Sequence, residues 1–327
     1  MRKTVRFILI VILILGAVYL FGPRVERPDL TFVLPEVPKE LNALHKWVTE
    51  KEQAFSNIKP NNASQIIFYD SIPQKTQYSV VYLHGFSASS AEGDPVHKQI
   101  AQHFKANLYL PRLFGHGLVE TEPMLDFNAD AYWKSALEAL AIAKRLGEKV
   151  IVLATSNGGT LALNLGYDPD IAALALYSPN IAIYDPSSKL LSKPWGLQLA
   201  RMAKGSKYHE FDAPKELQKQ YWTTRYRMEA LTHVQRLIDV SMKAKTFQKI
   251  DIPVFMGYYY QNDSLQDKVV SVPAMLKMFD ELGTPDSLKV KQAFPNAKNH
   301  VITSYISTPI YEEVGQATID FLESVLK

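Results

Sequence analysis

The chain has 327 residues, of which 47% are hydrophobic and 21% are charged, a composition typical of globular proteins. Its formal net charge of +3 is too small to indicate a nucleic-acid partner. The absence of cysteine excludes disulfides, thiolate metal sites and a cysteine nucleophile.

The N-terminus contains a strongly apolar segment. Residues 7–22 carry no charge, and Arg2, Lys3 and Arg6 precede them. Such a segment predicts a transmembrane helix, which could be a cleaved signal peptide or an uncleaved signal anchor. Residues 18–21 are bulky and lack the small residues of a cleavage site, which favours the anchor. The preceding basic residues favour an orientation that leaves the following domain outside the cytoplasm.

Three regions follow from this pattern. We expect a transmembrane signal anchor at 1–22, a tether with a leading helix at 23–58, and one globular domain at 59–327. Four prolines in the first part of the tether favour an extended chain. Apolar residues at helical spacing between Lys39 and Phe55 predict the leading helix.

Strands and helices alternate in the globular domain. Apolar, β-branched runs predict most of the strands, and apolar residues at i, i+3 and i+4 spacing predict the helices. The predicted strands are residues 65–69, 78–83, 106–110, 150–154, 171–177, 253–259 and 288–292, and the predicted helices are 95–104, 129–147, 158–166, 271–282 and 308–326. This alternation indicates a mostly parallel sheet with helices on both faces.

One long interval, residues 181–250, breaks the alternation. It shows several helical patterns and no strand pattern. An insertion of this kind after a strand predicts a helical lid over the carboxyl ends of the strands, where open α/β sheets bind their ligands. The lid contains four aromatic residues that could line an acyl pocket, although packing the small core of the lid is the expected role for most of them. They are Trp195, Tyr221, Trp222 and Tyr226.

One predicted strand leads into a sequence typical of a nucleophile elbow. In Ala154-Thr155-Ser156-Asn157-Gly158 a small residue lies two positions to either side of a serine, and a helical pattern begins directly afterwards. A strand-to-helix turn this tight crowds the neighbours of the serine and points its hydroxyl away from the sheet. The pattern predicts a nucleophile, but it also fits a turn that only packs a helix closely or cradles a phosphate.

Two loops near the C-terminus contain candidate partners for Ser156. A serine hydroxyl needs a general base, itself oriented by a carboxylate, to become a good nucleophile near neutral pH. We expect Asp267 to be this carboxylate, with Asp263 in the same polar loop as the alternative; either could instead only cap the following helix. His300, in a small polar loop after the last strand, is the one histidine in the expected order Ser, Asp, His.

Attack on a carbonyl also requires amide donors for the oxyanion. In an elbow architecture one donor comes from the residue after the nucleophile, here Asn157, and another from the loop after an early strand, here Phe86. Gly85 allows this loop to turn its amides towards the site. We expect His84 and His116 to stabilise loops rather than to catalyse. The sequence shows neither a dense His/Asp/Glu cluster for a metal nor a glycine-rich dinucleotide loop.

At these residues the chain resembles the α/β-hydrolase superfamily, and within it the branch of carboxylesterases, monoacylglycerol lipases and related serine aminopeptidases. The motifs are HGF at 84–86, PRLFGHG at 111–117, the helix around Trp133, ATSNGGTLAL at 154–163, YSP at 177–179, DKVV at 267–270 and NHVI at 299–302. The resemblance implies an eight-stranded, mostly parallel sheet, a lid inserted after the sixth strand, and ester hydrolysis through an acyl-enzyme without a cofactor. Ala154 replaces the usual first glycine, and the long acid loop leaves the choice of aspartate open.

The sequence therefore predicts a membrane-anchored serine hydrolase whose catalytic domain lies on the extracytoplasmic side. Expected substrates are short or medium acyl esters or monoacylglycerol-like lipids, because the lid is apolar and the anchor places the domain at a membrane. Aminopeptidase or thioesterase activity on the same triad, or a catalytically silent binding protein, are the alternatives. A peptidase would need a carboxylate cluster in the lid, where Glu210, Asp212 and Glu216 are the nearby acids.

Overall fold

A seven-stranded sheet forms the centre of the structure, a computed structural model that describes the backbone of residues 2–326 and the side chains of residues 4–326. The strands in this part of the chain are β1 (Gln65–Ile67), β2 (Thr76–Leu83), β3 (Asn107–Leu110), β4 (Gly147–Thr155), β5 (Ile171–Tyr177), β6 (Tyr208–Glu210), β7 (Arg225–Arg227), β8 (Val254–Tyr258) and β9 (Lys289–Ala293). The sheet order is β1-β3-β2-β4-β5-β8-β9, and all neighbours are parallel except β1 and β3.

Helices cover both faces of this sheet. The helices within residues 2–326 are α1 (Arg2–Leu20), α2 (Leu41–Gln53), α3 (Val96–His103), α4 (Ala129–Leu146), α5 (Asn157–Leu165), α6 (Gly196–Lys204), α7 (Glu216–Tyr221), α8 (Met228–Ser241), α9 (Ala244–Phe247), α10 (Val272–Asp280) and α11 (Tyr311–Val325). Alternate residues of β2 enter different cores, as the two-residue period of a strand requires. Val80 packs with α3 and α11 on one face, and Val81 packs with α4, α5 and α10 on the other.

The observed sheet confirms the predicted fold class and corrects one detail of it. Each of the seven predicted strands is present, with boundaries within a few residues of those expected. The eighth strand, which only the resemblance implied, is not found among residues 2–326, because the chain before β1 forms turns instead. The predicted lid consequently follows the fifth strand of the chain and not the sixth.

The interval 181–250 between β5 and β8 is mainly helical, as predicted, but it also contains a short antiparallel ribbon of β6 and β7. These strands have three residues each and are rich in charge, so they lack the apolar runs on which strand prediction depends. Part of α8 enters the main core, where Val234, Leu237 and Ile238 are buried beside α4 and α5. This packing fixes one end of the insertion to the sheet.

The N-terminal prediction is wrong. No helix within residues 2–326 is long and apolar enough to cross a membrane. The uncharged part of α1, residues 7–20, spans roughly 20 Å at about 1.5 Å per residue, whereas a hydrocarbon core is about 30 Å thick. The helix stops there because the chain turns at Phe21 and Gly22. This finding overturns the predicted transmembrane signal anchor, the membrane partner and the extracytoplasmic location that depended on it.

The end of α1 contacts the 181–250 interval through Trp195. The indole Nε1 of Trp195 donates to the Val18 carbonyl at 3.0 Å, and its backbone amide donates to the Pro23 carbonyl at 2.8 Å. Gly22 lies so close to the indole that a Cβ there would be 2.1 Å from Nε1. Beyond this contact, residues 23–40 run without regular secondary structure to α2, whose Leu44 and Val48 are buried in the main core.

Candidate active site

Ser156 occupies the sharp turn between β4 and α5. Its backbone has φ 53° and ψ −119°, a conformation that residues other than glycine rarely adopt. The turn is possible because its neighbours are small: a Cβ on Gly158 would lie 1.9 Å from the Leu83 carbonyl oxygen, and one on Gly159 would lie 2.6 Å from the Cβ of Pro179. Ser156 is 7% exposed and lines a cavity at the carboxyl edge of the sheet.

His300 and Asp267 form a buried pair on the wall of the same cavity. His300 Nδ1 lies 2.6 Å from Asp267 Oδ2, and Asp267 Oδ1 accepts hydrogen bonds from the amides of Val269 at 2.8 Å and Val270 at 3.1 Å. An Nδ1–H that donates to the carboxylate leaves Nε2 as the acceptor nitrogen. That Nε2 is buried and has no hydrogen-bond partner within the described part of the chain.

The two alternatives for the acid are separated by the contacts they make. Asp263 is exposed and accepts from the Tyr260 hydroxyl at 2.9 Å, so it does not face His300. The helix that follows, α10, is capped by Ser271, whose Oγ accepts from the Ala274 amide at 3.3 Å. Asp267 therefore does not serve as the cap of that helix, and its carboxylate is directed at the histidine.

The pKa values of the pair move in opposite directions. Burial by itself lowers the pKa of His300, but the charge and hydrogen bond of Asp267, with a smaller contribution from the charge of Glu92, outweigh this and raise the pKa above its usual value. Burial by itself raises the pKa of Asp267, and His300 together with the two backbone amides brings it below its usual value. The pair is thus arranged to stabilise an imidazolium beside a carboxylate.

Phe86 and Asn157, whose amides are the expected oxyanion donors, also line this cavity. Neither backbone N–H donates a hydrogen bond to another residue in the range 2–326, so both are available to a ligand. The Asn157 side chain is fixed by Asn180, whose Nδ2 donates to Asn157 Oδ1 at 2.6 Å. Asn180 also donates its backbone amide to the Ser156 carbonyl at 2.9 Å, which holds the turn from the other side.

Comparison with known proteins identifies the fold on which this site lies. No protein-family model and no curated protein matches the chain. Solved structures do match: one from work on the metagenome-derived lipolytic enzymes LipS and LipT has a TM-score of 0.65 at 15% identity, covering 81% of this chain and 99% of that one. The Paleococcus ferrophilus monoacylglycerol lipase has a TM-score of 0.58 at 16% identity over 80% and 98%.

A third match is Est1E from Butyrivibrio proteoclasticus with ferulic acid bound, at a TM-score of 0.54 and 16% identity, covering 81% of this chain and 95% of that one. The chain has the α/β-hydrolase fold. This agrees with the sheet order, in which parallel strands flank the β4–α5 turn and the insertion follows β5. In an α/β-hydrolase fold, the carboxyl edge of the sheet is where a serine on such a turn meets its acid and histidine.

His84 and His116 stabilise the loops beneath the candidate site, as expected. His84 Nε2 accepts from the Leu113 amide at 3.2 Å, so its Nδ1 donates to the Gly85 carbonyl at 2.9 Å. Burial lowers the pKa of His84 to about 4, which keeps its ring neutral. The ring of His116 packs edge-on against His84, with centroids 4.9 Å apart, and burial lowers its pKa too. No group of three His, Asp or Glu residues able to hold a metal occurs in the described range.

Glu92 is a site residue that sequence reasoning missed. It follows the Phe86 loop in a short 3₁₀ turn, is 2% exposed, and lines the cavity with Ser156 and His300. Its Oε2 accepts from the Gly85 amide at 2.5 Å. A glutamate in a stretch of small polar residues is normally exposed, so composition gives no signal that this one is buried.

The cavity itself has a volume of about 1210 Å³ and extends from Ser156 under the 181–250 interval. Four aromatic residues of this interval were candidates for lining an acyl pocket. Trp222 and Tyr226 line the cavity, whereas Trp195 and Tyr221 do not. Aliphatic and methionine side chains form much of the remaining wall. They include Leu191, Leu199, Met202, Met228, Leu231 and Val234. A cavity of this size and lining can accept an extended apolar group.

Proposed function

We propose that the protein is a serine hydrolase that cleaves carboxylic esters through an acyl-enzyme. The observation that carries this proposal is the arrangement around one cavity: a serine on a strained strand-to-helix turn, and a histidine whose Nδ1 is paired with Asp267 while its buried Nε2 has no partner among the described residues. In this proposal Ser156 is the nucleophile, His300 the general base and then acid, and Asp267 the orienting carboxylate.

The proposed reaction has two halves. His300 Nε2 takes the hydroxyl proton as Ser156 Oγ attacks the ester carbonyl carbon, and the amides of Phe86 and Asn157 stabilise the oxyanion. The carbon–oxygen bond to the alcohol then breaks, and the alkoxide leaves with the proton from His300. A water molecule next attacks the acyl-enzyme, gives its proton to His300, and releases the acid as the proton returns to Ser156.

The Ser156 hydroxyl and His300 Nε2 do not form a hydrogen bond in this structure, although both residues line the cavity. Catalytic hydrogen bonds in enzymes without substrate are often long and shorten when substrate binds. The proposed mechanism therefore requires the serine side chain to move, since the carboxylate and two amides already fix the ring of His300 through Asp267.

The cavity supports a substrate with a short to medium acyl chain, or a monoacylglycerol-like lipid. Its volume of about 1210 Å³ and its aliphatic wall beneath the 181–250 interval favour an apolar acyl group. We propose that this interval acts as the lid of a hydrolase domain at 59–327. The matched solved structures, described as lipolytic enzymes, a monoacylglycerol lipase and an esterase with bound ferulic acid, are consistent with this substrate class.

The lid gives little support to an aminopeptidase. Of the three acids considered, only Asp212 lines the cavity. Glu210 pairs with Arg225 at 2.6 Å, and Glu216 pairs with Lys219 at 2.6 Å. A carboxylate cluster that could hold the amine of a peptide substrate is therefore not assembled by these residues.

Hydrolysis of p-nitrophenyl esters from acetyl to palmitoyl by the full chain, beside Ser156→Ala, tests the proposal. We expect activity with a maximum at one chain length in the wild type and its loss in the variant. Equal rates in both proteins, or no rate at any length, would contradict the esterase assignment. Thioester and aminoacyl p-nitroanilide substrates in the same assay distinguish an ester-selective enzyme from the two alternatives.

A further inference from the structure

Glu92 is a buried carboxyl at the cavity that the proposed mechanism does not use. It lies in the turn that follows the Phe86 loop, and no lysine or arginine within residues 4–326 forms an ion pair with it. Burying an unpaired carboxylate is unfavourable unless hydrogen bonds or a nearby cation compensate. The contacts of Glu92 therefore indicate what the residue does.

The side chain of Glu92 lies against the backbone of the expected oxyanion loop. Its Oε2 accepts from the Gly85 amide at 2.5 Å and from the Tyr82 hydroxyl at 3.3 Å. A Cβ built on Gly85 would be 2.8 Å from Glu92 Oε1 and 3.0 Å from the Cβ of Ser156. Glu92 and Ser156 thus both lie against Gly85, and the carboxyl binds the His84–Gly85 peptide, one peptide group before the amide of Phe86.

The backbone of this turn is held by the loop that carries His300. Thr303 Oγ1 donates to the Glu92 carbonyl at 2.9 Å, and Ser304 Oγ donates to the Ala91 carbonyl at 2.8 Å. Both hydroxyls lie within four residues of His300. Glu92 consequently connects the loop of the expected oxyanion donor to the loop of the expected general base.

The ionisable groups that face Glu92 come from three elements. Tyr82 of β2 donates its hydroxyl to the carboxyl. The charge of Glu92 also raises the pKa of Tyr132 in α4 and of His300, which lies in the loop after β9 and lines the same cavity. His97 of α3 lies on the other side of Tyr82, with ring centroids 5.1 Å apart. Burial raises the pKa of Glu92 to about 7, although the Gly85 amide, the charge of His300 and the Tyr82 hydroxyl each act to lower it.

We propose that Glu92 is a positioning residue with two effects: its carboxylate orients the Gly85–Phe86 backbone for the oxyanion, and its negative charge stabilises the protonated form of His300. The effect of the charge on His300 can be measured without a substrate, but the effect on the Gly85–Phe86 backbone rests on the proposed function. Ionised Glu92 and protonated His300 favour each other, so the two groups titrate as a coupled pair.

Two conservative substitutions separate the effects. Glu92→Gln removes the charge but keeps an oxygen that can accept from the Gly85 amide. Glu92→Asp keeps the charge, but its shorter side chain moves the carboxylate away from the Gly85 amide. NMR titration of the His300 ring, assigned by the missing signal in His300→Asn, measures the effect of the charge. We expect the pKa of His300 to fall by roughly half a unit in Glu92→Gln, because an opposite charge nearby raises it. In Glu92→Asp it should stay near the wild-type value.

Ester hydrolysis measures the effect on the backbone. The acid limb of the kcat/KM profile should shift to lower pH in Glu92→Gln, since a base with a lower pKa is neutral at lower pH. The pH-independent value of kcat/KM, reached above the acid limb, should fall about tenfold in Glu92→Asp and less in Glu92→Gln. Such a fall is expected when an oxyanion loop loses a supporting hydrogen bond.

Asp168→Asn serves as the matched control. Asp168 is also buried, but it pairs with Lys144 at 3.0 Å in the loop before β5, at the amino edge of the sheet. This variant should leave the titration of His300 unchanged. An identical His300 titration in wild type and Glu92→Gln would overturn the inference. A shifted titration in a protein that hydrolyses no ester would instead support the charge effect while removing the proposed function.

A second measurement applies if Glu92→Gln does not fold. The carboxyl carbon of Glu92 can be titrated by ¹³C NMR in the wild type and in His300→Asn. Because the charge of His300 lowers the pKa of Glu92, removal of that charge should raise it. A titration of Glu92 that is the same in both proteins would contradict the coupling.

Discussion

Two apolar stretches of this chain have similar compositions and opposite environments. Strand β4 has every residue from Val150 to Ala154 fully buried, and it ends at the turn that holds Ser156. Helix α1 leaves its large side chains exposed, with Leu13 at 70%. The difference lies in their partners: β4 pairs with β2 and β5 along its length, whereas the contacts of α1 with the rest of the chain centre on Trp195 near its end. Apolar composition alone therefore does not decide where a segment lies.

The largest expected effect comes from the serine at the end of β4. We expect Ser156→Ala to reduce kcat/KM for esters by about 10⁴-fold or more, because removing the nucleophile leaves only the contribution of binding and the oxyanion donors. The unfolding midpoint should stay close to that of wild type, since alanine is smaller and keeps the turn. Residual activity within tenfold of wild type would exclude Ser156 as the nucleophile.

Next in size is the effect of the acid, for which the chain contains a matched pair. Asp267→Asn should lower kcat by roughly 10³- to 10⁴-fold, because an amide in place of the carboxylate disturbs the tautomer of His300. Asp263→Asn, in the same loop and bonded to Tyr260, should stay within about twofold. Steady-state kinetics on both variants checks this, and a reversal of their order would assign the acid to Asp263.

A smaller effect concerns stability and pH. The folded-state pKa of Glu92 is raised to about 7, above that of an unfolded glutamate, so between about pH 4 and 7 the folded protein binds more protons and loses stability as the pH rises. The free energy of unfolding of Glu92→Gln, relative to that of wild type, should therefore be about 3 kcal/mol higher at pH 8 than at pH 4. Urea unfolding at both pH values measures this difference. If the difference between variant and wild type is the same at both pH values, ionisation of Glu92 does not destabilise the folded protein.

The smallest effect is expected at α1. Trp195→Ala should release the end of the helix by removing the hydrogen bond to Val18 and the packing on Gly22, and leave kcat within about twofold, because Trp195 does not line the cavity. Limited proteolysis after residue 22 should become faster in the variant. A large loss of activity would mean that α1 influences the site, which would weaken the contrast between the two stretches.

The sequence predicted those features that depend mainly on residues close together in the chain. The sequence pattern predicted all seven strands of the sheet, most of them from apolar runs. Small residues around Ser156 indicated a tight turn, and the close approach of Gly158 to Leu83 explains why they are needed. The loop at 261–271 left two aspartates open, since spacing does not reveal which carboxylate turns inward. Only the contact of Asp267 with His300 separates them.

Other features depend on partners that lie far away in sequence. The burial of Glu92 results from Tyr82, Gly85 and Thr303, which the fold brings together, so the local sequence around Glu92 resembles an ordinary surface turn. The β6–β7 ribbon is too short and too charged to show a strand period. The prediction at α1 was wrong because the segment is hydrophobic enough for a membrane span but too short. The helix ends before it reaches the thickness of a hydrocarbon core.

The most direct test of the proposed serine chemistry is covalent labelling of the full chain with a fluorophosphonate, followed by intact-mass measurement and peptide mapping. The account predicts one adduct per chain, located on Ser156, with slower labelling in His300→Asn and none in Ser156→Ala. Failure of the wild type to label, or an adduct on another serine, would contradict it.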